Sequence, residues 1–165
     1  LLALKNRGLS DTGMIGFYIF YNMAYALLSF PVGIVADRIG LRTTLVGGLL
    51  TFAVVYFFFG FAASPLAFGA LFFLYAVYAA STEGISKALI TNLAASPDTA
   101  TAIGFYTSFA SVFALAASIL AGLLWLAIGP KAMFMISGAG VFFAALYLGL
   151  AFQRSQASPF RAPRT

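Results

Sequence analysis

Cysteine and histidine are both absent from these 165 residues. Together the two absences remove most of the chemistry on which a catalytic protein relies. There is no thiolate to attack a carbonyl or hold a metal and no imidazole to pass a proton or ligate zinc or haem. No Ser-His-Asp or Cys-His pair can be assembled. Without cysteine no disulfide forms, so nothing can be read about the redox compartment. Charge is nearly as scarce, at 8% of the chain, where soluble domains carry about 25%. The four acids, Asp11, Asp37, Glu83 and Asp98, fall in different segments. That leaves neither a paired-carboxylate site nor a calcium or zinc ligand cluster. Gly47-Gly48 and Gly138-Ala139-Gly140 follow no strand pattern that would make a phosphate loop, and read as helix-packing glycines. No enzymatic activity, no cofactor and no metal are expected.

What remains is apolar. Hydrophobic residues make 62% of the chain, and uncharged stretches run from Thr12 to Ala36, Thr43 to Thr82, Thr99 to Pro130 and Ala132 to Gln153. A membrane crossing needs roughly 20 apolar residues, so the expected fold class is all-α, a polytopic transmembrane helix bundle, with the lipid bilayer as its first partner. Turn chemistry divides the stretches into spans at about 12–36, 43–63, 65–93, 101–128 and 132–152. Ser64-Pro65 closes the second and opens the third, since proline is tolerated in a first helical turn. Ser96 to Thr99 supplies capping oxygens for the fourth, and Gly129-Pro130 ends it. Residues 153–165 form a polar, basic tail, expected to be flexible.

The chain opens on the apolar Leu1 to Leu4, with Lys5, Asn6 and Arg7 following. This order is the reverse of a secretory signal and reads as the end of a severed span, so residues 1–11 are taken as that end plus an outer loop and the sequence as a fragment. Arg38, Arg42, Arg154, Arg161 and Arg164 fall on one side of the membrane; Lys5, Arg7 and Lys131 fall on the other. The richer side is placed in the cytoplasm by the positive-inside rule, and with it the C-terminus. The net charge of +5 therefore reads as topology and contact with anionic headgroups, and nucleic acid is not expected as a partner.

The loop after the first span reads Gly33, Ile34, Val35, Ala36, Asp37, Arg38, Ile39, Gly40, Leu41, Arg42. It resembles the signature loop of the major facilitator superfamily of secondary transporters, whose pattern is GxLxDRxGRR or RK. Gly33, Ala36, Asp37, Arg38, Gly40 and Arg42 match, and Leu41 stands where the family usually has a basic residue. Thr82 to Ala88 and Ala117 to Trp125 are similar to C-terminal halves of bacterial members. The Arg-Gly that such relatives often carry after the next proline loop is missing at Thr99-Ala100-Thr101. The resemblance implies a six-helix half, of which five full spans and the end of a sixth are present. It implies a missing N-terminal half as partner, a small-molecule substrate and the bacterial plasma (inner) membrane. It also implies that the loop latches one conformational state through Asp37, Arg38 and Arg42, with Gly33 and Gly40 shaping the turn. The chemistry agrees: a carboxylate at a helix C-terminus is disfavoured until an arginine or another helix's N-terminus meets it.

The third span carries Glu83 and Lys87, spaced so that they can meet on one helix face. A charge near the middle of a span costs roughly 2.5–3.5 kcal/mol on insertion scales and usually faces a bundle interior or a wet cavity. Tyr75, Tyr78, Thr82 and Ser86 form a polar stripe beside the pair, and Tyr18, Asn22, Tyr25 and Ser29 form another on the first span. Glu83, Lys87, Tyr75, Tyr78, Asn22 and Tyr18 are therefore the candidate substrate and coupling residues, with a structural ion pair and interhelical bonding as the plain alternative. Gly104, Ser108, Ser111, Ser118 and Gly122 make a packing face on the fourth span, for a partner in the missing half. The second span, aromatic at Phe52, Tyr56, Phe57, Phe58, Phe59 and Phe61, is expected to face lipid. The expected function is secondary active transport of a small solute by alternating access, ion- or proton-coupled; the alternative is a non-transporting membrane scaffold or complex subunit.

Overall fold

A bilayer offers no water to unpaired backbone groups, so a chain this apolar must satisfy its N–H and C=O groups within each span. A computed structural model describes Lys5 and residues 8–157, and its five long helices do this. The first, α1, covers Asp11–Ile39 and begins where the Ser10 hydroxyl accepts the Gly13 N–H at 3.2 Å. Pro31 lies within it. One residue, Gly40, separates α1 from α2 (Leu41–Phe59). Its φ of 95° lies in the region that favours glycine. Its N–H donates to the Ala36 carbonyl, and its carbonyl accepts from both the N–H and the hydroxyl of Thr44. The signature glycine thus closes two helix ends at once.

The third helix, α3 (Pro65–Leu93), starts at Ser64, whose hydroxyl accepts the Ala67 N–H. A single 3-10 turn over Ser96–Asp98 leads into α4 (Thr99–Ile128), and α5 follows as Pro130–Ala157. Three details differ from the sequence reading. The helix α4 starts at Thr99, ahead of Thr101, and Asp98 makes no side-chain cap; the Thr99 hydroxyl donates back to the Ala95 carbonyl instead. The helix α5 begins on Pro130, which needs no N–H partner at that position. It also continues beyond Gln153 to Ala157, so the first part of the supposed tail is helical. Leu1 to Leu4, Asn6, Arg7, Arg161 and Arg164 lie outside the described residues.

The helix α3 is the centre of the bundle and buries more residues than any other helix, among them Phe68, Leu71, Ala76, Ala79, Ser81, Thr82 and Ile85. It packs closely against α1 and α2, and α2 packs in turn against α5. Lipid is as apolar as a leucine side chain, so these contacts rest on close fit, which small residues permit. At Gly48 a Cβ would come within 2.7 Å of the Ser81 Cβ and 3.0 Å of the Thr82 Cγ2; at Gly138 it would come within 3.1 Å of the Ala53 carbonyl oxygen. Gly47 and Gly140 meet nothing.

The expectation that α2 faces lipid is overturned. Val55 is wholly buried, Thr44, Gly48 and Ala53 are buried too, and only part of the aromatic set, including Phe57, Phe58 and Phe61, points outward. Counting rings around α2 obscured the stripe of small residues that sets its packing face. The helix α4, by contrast, buries no residue. Its Gly104, Ser108, Ser111, Ser118 and Gly122 are all exposed, and the Ser108 and Ser111 hydroxyls donate to carbonyls one turn back.

The Gly48 crossing is testable. A Gly48→Ala substitution is expected to destabilise the protein by about 1–3 kcal/mol through overpacking, lowering the midpoint of thermal unfolding in detergent. Gly47→Ala, one residue away in open space, should leave it unchanged or slightly raised; equal effects would mean that the crossing is not tight.

Candidate functional site

Six aromatic rings from three helices meet within the bundle. The helix α1 supplies Tyr21 and Tyr25, α2 supplies Phe52 and Tyr56, and α3 supplies Tyr75 and Tyr78. Their positions follow helical spacing, which puts residues three or four apart on one face. The Tyr21 and Tyr75 centroids are 5.3 Å apart, as are those of Tyr75 and Tyr78. Phe52 meets the Tyr78 ring edge-on at 4.7 Å and stacks on Tyr56 at 4.0 Å. Beyond Tyr21 and Tyr75, Phe17, Phe59, Phe68 and Phe72 continue the packing toward the end of the bundle opposite Gly40. On that side these rings join the hydrophobic core around Val55, Leu71 and Phe72.

Toward the Gly40 end the helices separate around a cavity of about 480 Å³. Leu45 and Leu49 of α2 line it, with Tyr78, Thr82, Glu83, Ser86, Leu89 and Ile90 of α3, Tyr106 of α4, and Leu148 and Phe152 of α5. The sequence reading placed Tyr78, Thr82, Glu83 and Ser86 on or beside one stripe, and the structure brings all of them to this cavity. Tyr75 sits next to it, in the aromatic layer. The Thr82 hydroxyl donates to the Tyr78 carbonyl at 2.9 Å, so the cavity is poorer in free donors than its sequence suggests.

Glu83 is exposed toward the cavity, and its Oε2 accepts a hydrogen bond from the Tyr25 hydroxyl at 3.0 Å. The bond ties α1 to α3 through their polar groups. The expected pairing with Lys87 is not formed: among the described residues the ion pair is Lys5 with Asp11, at 3.4 Å on the surface. Helical spacing permits a Glu83–Lys87 pair but does not enforce it, and a phenol on the neighbouring helix occupies the carboxylate instead. Lys87 is exposed and does not line the cavity.

Tyr18 and Asn22 stand apart from this group. Both are exposed on α1, and the Asn22 amide donates to the Tyr18 carbonyl at 2.8 Å. The amide's need for a partner is thus met within its own helix. Sequence reasoning missed Tyr21, Phe52, Tyr56 and Tyr106. Tyr21 was within reach, because Tyr18, Tyr21 and Tyr25 have helical spacing. Phe52 and Tyr56 were assigned to lipid with the rest of α2, and Tyr106 was hidden in a span read as scaffold.

The signature loop forms a second group at the Gly40 end. Asp37 and Arg38 are exposed in the last turn of α1, and Gly33 is half-buried. Arg42, in the first turn of α2, lies over the Phe152 ring of α5, 5.1 Å from its centroid. It therefore does not pair with Asp37. Among the described residues no lysine or arginine comes within 4 Å of that carboxylate. On the opposite side of the bundle Lys131 caps the Phe61 ring at 4.4 Å. Each cation sets its charged head over an aromatic face near a helix end.

Comparison with known proteins agrees with this architecture. Over 121 residues the chain is 35% identical to an uncharacterized MFS-type transporter of Methanocaldococcus jannaschii, an overlap covering 73% of this chain. The chain spans 30% of that relative's length. The profile of the Major Facilitator Superfamily matches residues 3–164, which include all five helices, the signature loop and Glu83. This integral membrane chain belongs to the Major Facilitator Superfamily.

Proposed function

We propose that the chain is the C-terminal half of a secondary active transporter that moves a small solute by alternating access, with Glu83 as the group that couples transport to an ion or proton. The observation carrying this reading is a carboxylate within a membrane helix that lines a cavity, held by a neighbouring helix's phenol and, among the described residues, with no cation within 4 Å. A group so placed can exchange a proton or cation as the cavity changes its exposure, whereas a structural acid would be neutralised permanently. Tyr75 and Tyr78 shape the solute's surroundings. Lys87, one turn from Glu83, adjusts the local field. Tyr18 and Asn22, on the open face of α1, touch the solute from the side of the central path.

The absent N-terminal half is the partner for the small-residue face of α4, which buries nothing within this half. Asp37 reaches across to that half in one conformational state and is released in the other; its lack of a basic partner here supports such a role. The protein sits in a bacterial plasma (inner) membrane. Arg38, Arg42 and Arg154 at the Gly40 end, against Lys5 and Lys131 at the other, support a cytoplasmic C-terminus by the positive-inside rule.

Uptake by the full-length protein in proteoliposomes tests the coupling role. Glu83→Gln should abolish acceleration by an imposed proton gradient, and uptake that stays equally gradient-dependent would remove Glu83 as the proton carrier. For the loop, Asp37→Asn should slow turnover by roughly tenfold, or about 1.4 kcal/mol on the barrier, while substrate affinity stays within a few fold. Unchanged turnover would reduce the loop to a turn.

A further inference from the structure

We infer that the cavity takes an amphipathic organic cation: a solute with an apolar, ring-containing body and a single positive charge. The inference rests on the transporter reading for why the cavity fills and empties, but the binding it describes does not require transport.

Charge is the first ground. Among the described residues that line the cavity, Glu83 is the only one of the Asp, Glu, Lys and Arg class. Lys87 lies outside the lining, and Arg42 lies against Phe152 without lining the cavity itself. Tyr25 donates one hydrogen bond to Oε2, which fixes the carboxylate but brings no charge, and Oε1 has no donor among the described residues. A carboxylate in a low-dielectric setting draws a counter-charge, and none comes within 4 Å among the described residues. A bound anion would meet this carboxylate without a compensating cation.

The walls are the second ground. Tyr78 and Tyr106 line the cavity, and the Tyr78 ring is braced by Phe52 at 4.7 Å and Tyr75 at 5.3 Å. Ring faces attract cations, most strongly where water is excluded, and a braced ring loses little freedom when a ligand arrives. Leu45, Leu49 and Ile90 offer an aliphatic surface for the rest of the solute. A sugar-like polyol fits poorly: the Thr82 hydroxyl already donates to its own helix, so many of the polyol's hydroxyls would be left unpaired. The volume of about 480 Å³ is that of a small-molecule site.

Two probes of nearly the same shape and opposite charge test the inference. Equilibrium binding of tetraphenylphosphonium and of tetraphenylborate is measured on the full-length protein in lipid nanodiscs, with empty nanodiscs subtracted for partition into lipid. Tetraphenylphosphonium should bind and tetraphenylborate should not. Glu83→Gln should raise the Kd for the cation about tenfold or more, and Tyr78→Leu should weaken it as well. Equal cation affinity in wild type and Glu83→Gln, comparable binding of the borate, or binding of neither probe would overturn the inference. If the Glu83 variant fails to fold, the two probes on the wild-type protein decide alone. Proteoliposomes separate this outcome from the transporter reading. A cation that binds but is never moved, alongside no transport of any solute, sinks that reading and leaves the inference standing. Gradient-driven uptake of another solute without cation binding does the reverse.

Discussion

The close approach of α2 and α3 at Gly48 sets the geometry of everything around it. With no side chain on Gly48, Ser81 and Thr82 press directly onto α2, and both are buried there. That contact fixes the rotation of α3. Thr82 faces the crossing and its neighbour Glu83 is turned about 100° around the helix axis, toward Tyr25 and the cavity. The same rotation brings Tyr75 and Tyr78, roughly two turns and one turn earlier, against Phe52 of α2. A bulkier residue at 48 would therefore disturb the acid and the aromatic layer together, although it touches neither.

Within that frame, Glu83 is restrained by a neutral donor. An ion pair with Lys87 would have been the easier local solution, since both side chains are on one helix. Tyr25 instead reaches across from α1, and the carboxylate keeps its charge uncompensated by any lysine or arginine within 4 Å among the described residues. A phenol–carboxylate bond is weaker and more readily exchanged than a buried ion pair, whose disruption leaves a bare charge behind. It also links two helices. Any event that takes the Glu83 carboxylate, a proton or a cation, alters the bond that holds α1 to α3 at that level.

The chemistry of the site was readable in the sequence to the extent that it depended on spacing along one helix. Composition and the uncharged runs give the five spans, and the Gly33-to-Arg42 pattern gives the family. The stripe of Tyr78, Thr82 and Ser86 with Glu83 beside it follows from a period of 3.6. What spacing cannot supply is which neighbouring helix faces a stripe. Glu83's partner is on α1, 58 residues away, so the local candidate Lys87 took its place in the reading. Asn22 looked like a substrate contact because an amide needs partners, yet its own helix provides one. On α2 the many rings outweighed Thr44, Gly48 and Ala53, although in lipid small residues, which admit another backbone, signal packing better than large ones.

The cavity's walls are unequal in how firmly they are held. Tyr78 belongs to the most buried helix and is braced by two rings, whereas Tyr106 comes from α4, which buries no residue and touches α3 and α5 only lightly. In a bilayer, where helices gain nothing by hiding apolar surface from lipid, such a helix is kept in place by fit alone, and α4 has little fit against the other described helices. The braced ring and Glu83 are therefore the firmly held side of the cavity, and Tyr106 is the side with least packing behind it. On the proposed reading, a solute that draws Tyr106 against Tyr78 would add the contact that α4 otherwise lacks. Occupancy of the cavity and the position of α4 would then be linked through differential binding, with no need for a longer path between them.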